Sequence, residues 1–128
     1  MSPRPASTVL VVDGANVVGS RPDGWWKDRA GAALRLHEQL MVGDVPHEVV
    51  VLVLEGAAKG GVRAGRDAHV RTVHARASGD DTIVAETKAA AEAGSRVSVV
   101  TADRILMGRV ERYGATVMSP TWLLGEIA

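Results

Sequence analysis

Three apolar, mostly β-branched runs in this chain each end on an acidic residue: Val11-Val12-Asp13, Leu52-Val53-Leu54-Glu55 and Val99-Val100-Thr101-Ala102-Asp103. Continuous runs of this kind are buried on both faces, which marks a parallel sheet covered by helices. The carboxyl ends of such strands share one edge, and ligands bind there. Residues far apart in sequence are therefore expected to meet as a carboxylate cluster, joined by Asp80-Asp81 at the start of a helix. Crowded carboxylates without a compensating charge repel one another and resist ionisation. A hard divalent cation relieves that repulsion, so Mg²⁺ or Mn²⁺ acting on a phosphate-bearing substrate is the expected chemistry.

The rest of the chain supplies the layers around that sheet. Strands are predicted over Thr8–Val12, His47–Leu54, Ala68–Ala75, Arg96–Thr101 and Ala115–Met118, the third of them at an edge because it alternates His, Val, Arg and Thr. Helices are predicted from Asp28 to about Met41, from Asp80 to Ala93, from Asp103 to Tyr113, and after Ser119-Pro120. Residues 14–27, with Gly14, Gly19, Pro22 and Gly24, read as an irregular loop, and the Gly- and Arg-rich residues 56–67 as an exposed one. The order βα-ββ-α-βα-βα predicts a three-layer α/β/α sandwich with a mainly parallel central sheet. Residues 1–7 read as a flexible lead and 8–128 as one domain.

With 128 residues, 46% of them hydrophobic, the chain is long enough for one sizeable core, which Val, Leu and Ala must fill because there is no Phe. It has no Cys, which excludes disulfides and thiolate zinc sites. The opening Met-Ser-Pro-Arg-Pro-Ala-Ser has no apolar signal core and no run is long enough to span a membrane, so a cytoplasmic protein is expected. Net charge is zero, so contact with nucleic acid has to come from a local patch.

Each acid has a bland alternative. Asp13 can be a turn residue, Glu55 a surface residue at a strand end, and Asp80, Asp81 and Asp103 ordinary acids at helix N-termini. Their coincidence on one predicted edge favours a site. Asn16 is placed to orient the Asp13 carboxylate or a bound water, and Thr101 either holds a carboxylate or water by hydrogen bonding or is a plain β-branched strand residue. Rival phosphate chemistries lack their residues. There is no Gly-x-x-x-x-Gly-Lys-Ser/Thr loop. A dehalogenase-type phosphatase needs a second Asp where Ala15 stands. A response-regulator receiver needs adjacent acids after the first strand and a Lys after the last full strand, and neither is present.

The segments Val12-Asp13-Gly14-Ala15-Asn16-Val17, Glu55-Gly56, Ser78-Gly79-Asp80-Asp81-Thr82-Ile83 and Val99-Val100-Thr101-Ala102-Asp103-Arg104, followed by Tyr113-Gly114-Ala115, resemble the NYN branch of the PIN-like ribonucleases, in its YacP-like form. The resemblance runs from about residue 8 to 119. It implies a metal-dependent nuclease in which Asp13, Asp81 and Asp103 are the primary ligands, Glu55 and Asp80 accessory, and Asn16 supporting. Glu55 departs from the pattern, since Asp is commoner there.

RNA is the expected substrate, single-stranded or structured. The basic stretch containing Lys59, Arg63, Arg66, His69, Arg71, His74 and Arg76 suits backbone phosphates, with Arg21 and Lys27 contributing from the loop that holds Trp25 and Trp26. One Trp is placed to stack on a base, or both pin the loop to the domain. His37 and His47 read as structural, and a homodimer is an open expectation. Two other functions remain: a nucleotide pyrophosphohydrolase using the same acids, and a non-catalytic RNA-binding module.

Overall fold

A computed structural model describes residues 7–128. Six strands form one sheet: β1 Thr8–Asp13, β2 Val49–Leu54, β3 Gly65–Asp67, β4 Val70–His74, β5 Arg96–Val100 and β6 Thr116–Met118. Their order is β3-β4-β2-β1-β5-β6, with every pairing parallel except that of β3 with β4. Alternation along β1 and β2 builds two cores. Leu10, Val12, Val50, Leu52 and Leu54 face one side, where they meet α1 Gly14–Gly19, α2 Arg29–Val42 and α5 Pro120–Ile127. Val9, Val11, Val51 and Val53 face the other and meet α3 Gly79–Glu92 and α4 Arg104–Glu111. This is the expected three-layer sandwich.

Helix ends follow the local chemistry. Asp28 caps α2 by accepting from the Gly31 N–H at 2.8 Å, and Ser119 caps α5 by accepting from the Trp122 N–H at 3.0 Å, with Pro120 in the first turn.

Three expectations change. Residues 14–19 are helical and not an irregular loop. Two glycines and adjacent valines make a poor isolated helix, but burial of Val17 and Val18 against the sheet decides the matter. The strand at 70–74 is not at the edge. The chain before it turns back through Ala68, which has φ 52°, and the fully exposed β3 covers it. A three-residue strand without an apolar residue carries no periodic signal. Residues 56–61 form a 3₁₀ turn inside the other expected loop. Of the expected lead, residues 1–6 lie outside the described residues. Ser7 already joins the sheet, its carbonyl accepting from the Arg96 N–H at 2.7 Å. No helix among the described residues is long and apolar enough to cross a membrane.

Candidate active site

The chain leaves β1 for β2 on one side and later returns to place β5 on the other, so β1 and β5 flank the topological switch point of the sheet. Asp13 ends β1 there and is 5% exposed. Thr101 is buried just beyond β5, and its hydroxyl donates to Asp13 Oδ2 at 3.0 Å. The Asp103 N–H donates to that same hydroxyl at 3.1 Å, which fixes the direction of its proton. Asp13 Oδ1 accepts from the Asn16 N–H at 3.3 Å and so caps α1. The Asn16 side chain does not turn back to the carboxylate. Its carbonyl oxygen accepts from the Ala102 N–H at 2.9 Å, tying the first turn of α1 to the loop after β5.

The remaining acids close in from the neighbouring elements. Glu55 follows β2, and a Cβ placed on Gly79 would stand 3.2 Å from Glu55 Oε1. That carboxylate therefore lies against the first turn of α3, where the helix dipole favours negative charge. Asp80 is next along α3. Burial pushes the Asp13 carboxyl above the ordinary aspartate range, the bonds from Thr101 and Asn16 oppose this, and the charges of Asp80 and Glu55 add to it. Burial also raises Asp80, as do the charges of Asp103, Glu55 and Asp81, against the lowering influence of Arg109. Asp13, Glu55, Asp80 and Asp103 thus share one electrostatic field.

Asp81 contributes the weakest of the charges that raise Asp80 and faces away from the cluster. Its side chain is 83% exposed and pairs with Arg109 of α4 at 2.8 Å. Asp103 Oδ1 accepts from the Ile105 and Leu106 N–H groups at 2.9 and 3.0 Å, so the cap and the site share one carboxylate. The sequence carried no signal for Arg109, which acts across two helices.

Among the described residues, no three His, Cys, Asp or Glu side chains form a group that would close around one ion. The donors are all hard oxygens in mutual repulsion, which suits Mg²⁺ or Mn²⁺ held by one or two carboxylates with water completing the shell. They fit a hydrated ion and not a dehydrated protein cage.

The basic stretch is largely engaged. Arg71 pairs with Glu86, the rings of His69 and His74 bond to the Leu40 and Val62 carbonyls, and Arg66 bonds to the Ala68 carbonyl. Lys59 donates to the Ala75 carbonyl at 3.0 Å, tying the 3₁₀ turn to the end of β4. Arg21 bonds to Gln39 on α2, while Arg63 and Lys27 are exposed. Trp25 packs on the core and Trp26 is 57% exposed, so only one of the two rings pins the loop to the domain. His37 is buried, with Nε2 3.4 Å from an Asp67 oxygen, and His47 meets the Trp122 ring edge-on, in keeping with structural roles.

The raised carboxyls set a pH dependence. A carboxyl whose folded pKa exceeds its unfolded value contributes stability that is fully present below the unfolded value and lost as pH rises through the folded one. Asp13→Asn keeps a neutral group of the same shape. Its melting temperature relative to the parent, both in chelator, is expected to climb as pH rises from about 4 to about 7. A constant difference across that series would place the Asp13 carboxyl at its ordinary value.

No family model matches the chain, and no curated protein matches it in sequence. Solved structures do match. Rae1 (YacP) from Bacillus subtilis has a TM-score of 0.70 at 20% identity, over 93% of this chain and 72% of that one. A tryptophan-to-leucine mutant of the same protein gives a TM-score of 0.75 at 20% identity, over 94% and 74%. The chain has the fold of these YacP structures, an α/β sandwich on a mainly parallel sheet.

Proposed function

We propose that this chain is a ribonuclease that hydrolyses RNA phosphodiester bonds at its acidic edge with Mg²⁺ or Mn²⁺, in the cytoplasm. The observation that carries the reading is the buried Asp13 carboxylate, held from both oxygens at the switch point within the field of Glu55 and Asp80. Such a carboxylate is costly to keep charged unless a cation meets it. The nuclease-like fold and the acid pattern of the PIN-like ribonucleases support the same conclusion.

Asp13 and Asp80 are the carboxylates we assign to the ion, with Glu55 and the second oxygen of Asp103 beside its water shell. Thr101 holds the Asp13 carboxylate in one orientation, and Asn16 locks β1 to the β5 loop so that the two halves of the site keep their spacing. The bound ion supplies a water of lowered pKa and neutralises charge at the attacked phosphate. No His or Lys base is required.

Millimolar Mn²⁺ is expected to raise the melting temperature, because a ligand bound only by the folded state stabilises it by mass action. The same preparation, given single-stranded RNA, structured RNA and nucleoside triphosphates with and without Mn²⁺, should cut RNA only with the ion. Triphosphate hydrolysis with intact RNA would assign the site to a nucleotide pyrophosphohydrolase. Metal and RNA binding without cleavage of either substrate would make the chain a binding module.

A further inference from the structure

Beside the acidic edge lies a pocket of about 320 Å³ that the acids do not explain. Val18, Leu54 and Ala58 form apolar walls, Trp25 adds an aromatic one, and Glu55 and Arg29 supply the polar groups. Gly14, directly after Asp13, also lines it, so the pocket and the carboxylates share a border. The guanidinium of Arg29 stacks over Trp25 with Cζ 5.0 Å from the ring centroid. Trp26 meets Trp25 edge-on at 6.0 Å. This arrangement holds the Trp25 ring and the Arg29 charge in place before any ligand arrives.

From this geometry we infer that the pocket binds one unpaired nucleobase of the RNA and thereby sets which phosphodiester reaches the acids. The inference rests on the ribonuclease reading and deepens it. The volume lies at the lower end of small-molecule sites and suits a single base. Apolar and aromatic walls match the faces of a base, and single-strand readers use such walls with Arg beside them. Glu55 only accepts hydrogen bonds, so it suits a base edge that donates. Arg29 has donors to spare for a phosphate oxygen. A base inside a duplex cannot enter, so the pocket selects single-stranded or splayed positions.

The test reads binding apart from cleavage. A fluorescent single-stranded RNA of about eight nucleotides, within the span of single-strand sites, is made with one abasic position at each place in turn. Binding is followed by anisotropy in chelator for the parent, for Trp25→Leu and for Ala58→Phe, which fills the pocket from the 3₁₀ turn. Thermal melts check that both variants fold. One abasic position is expected to weaken binding to the parent about fivefold or more, the lower range for losing a stacked base. Both variants should bind intact RNA more weakly and be indifferent to that position.

A parent indifferent to every abasic position, or folded variants that keep the dependence, would overturn the inference. The two readings separate cleanly. RNA that binds with this dependence but is never cut leaves the pocket standing and removes the nuclease. RNA that is cut with no abasic dependence does the reverse. If no RNA binds, nucleoside monophosphates that perturb Trp fluorescence in the parent and not in Trp25→Leu still support the pocket. Silence there overturns it.

Discussion

Asp80→Asn is expected to remove metal-dependent cleavage, at least about a hundredfold, while Asp81→Asn one residue later leaves most of it. Loss of groups that merely orient a metal ligand already costs about 10- to 100-fold, and a group in the field of the ion itself should cost more. Asp80 shares that field with Asp13, Glu55 and Asp103, whereas Asp81 faces solvent and pairs with Arg109. An exposed pair of this kind contributes little to folding, so Asp81→Asn should melt close to the parent. Asp80→Asn should melt no lower than the parent in chelator, because it relieves repulsion. It should also lose the Mn²⁺-induced rise in melting temperature. Equal loss of cleavage in both variants would show that Asp81 leaves Arg109 to join the ion.

The pattern resemblance ranks these two acids the other way, and the helix phase is the physical ground for preferring Asp80. Ile83 and Thr87 are the buried residues of α3 beyond Gly79, and Asp80 precedes them by three and seven positions on the same stripe. Asp81 shares its stripe with Val84, Ala85 and Lys88, turned about 100° away. That signal was present in the letters. By contrast, the strands carrying Asp13, Glu55 and Thr101 were legible because continuous β-branched runs have one economical fate. The edge on which they meet followed from their parallel order.

Features decided by tertiary contact were not legible. Helix α1 forms where propensity argues against it, because Asp13 caps it and the sheet buries its valines. β3 exists only as a cover for β4. Most of the basic stretch turned out to be engaged by carbonyls and by Glu86, which a count of charges cannot reveal. Which Trp packs on the core and which is exposed showed only once the loop had a course. Asn16 was expected to reach back towards the Asp13 carboxylate, but only its backbone N–H does so, and its side chain reaches across to Ala102.

Gly14→Ala is expected to cripple the site through the backbone. A Cβ there would stand 2.6 Å from the Val53 carbonyl oxygen and 2.9 Å from Leu54 Cδ2. The Leu54 methyl can turn aside, but the carbonyl belongs to the central strand beside β1 and is held by the sheet. The helix must yield instead, and α1 carries Asn16 and its bond to Ala102. Overpacking of this sort costs about 1–3 kcal/mol. A displacement of about 1 Å among catalytic groups can cost about a hundredfold in rate. The variant should therefore melt several degrees lower and lose most cleavage, although no acid has changed. Gly108 of α4 provides the control, since a Cβ there meets nothing within 4 Å and its φ is not in the left-handed region. Gly108→Ala should stabilise by about 0.4–1 kcal/mol, because Ala narrows the unfolded ensemble and suits a helix. The same methyl group thus gives opposite signs at the two positions. A Gly14→Ala protein as stable and active as its parent would show that α1 can slide on β2, and that the Asp13 elbow is not held by this close approach.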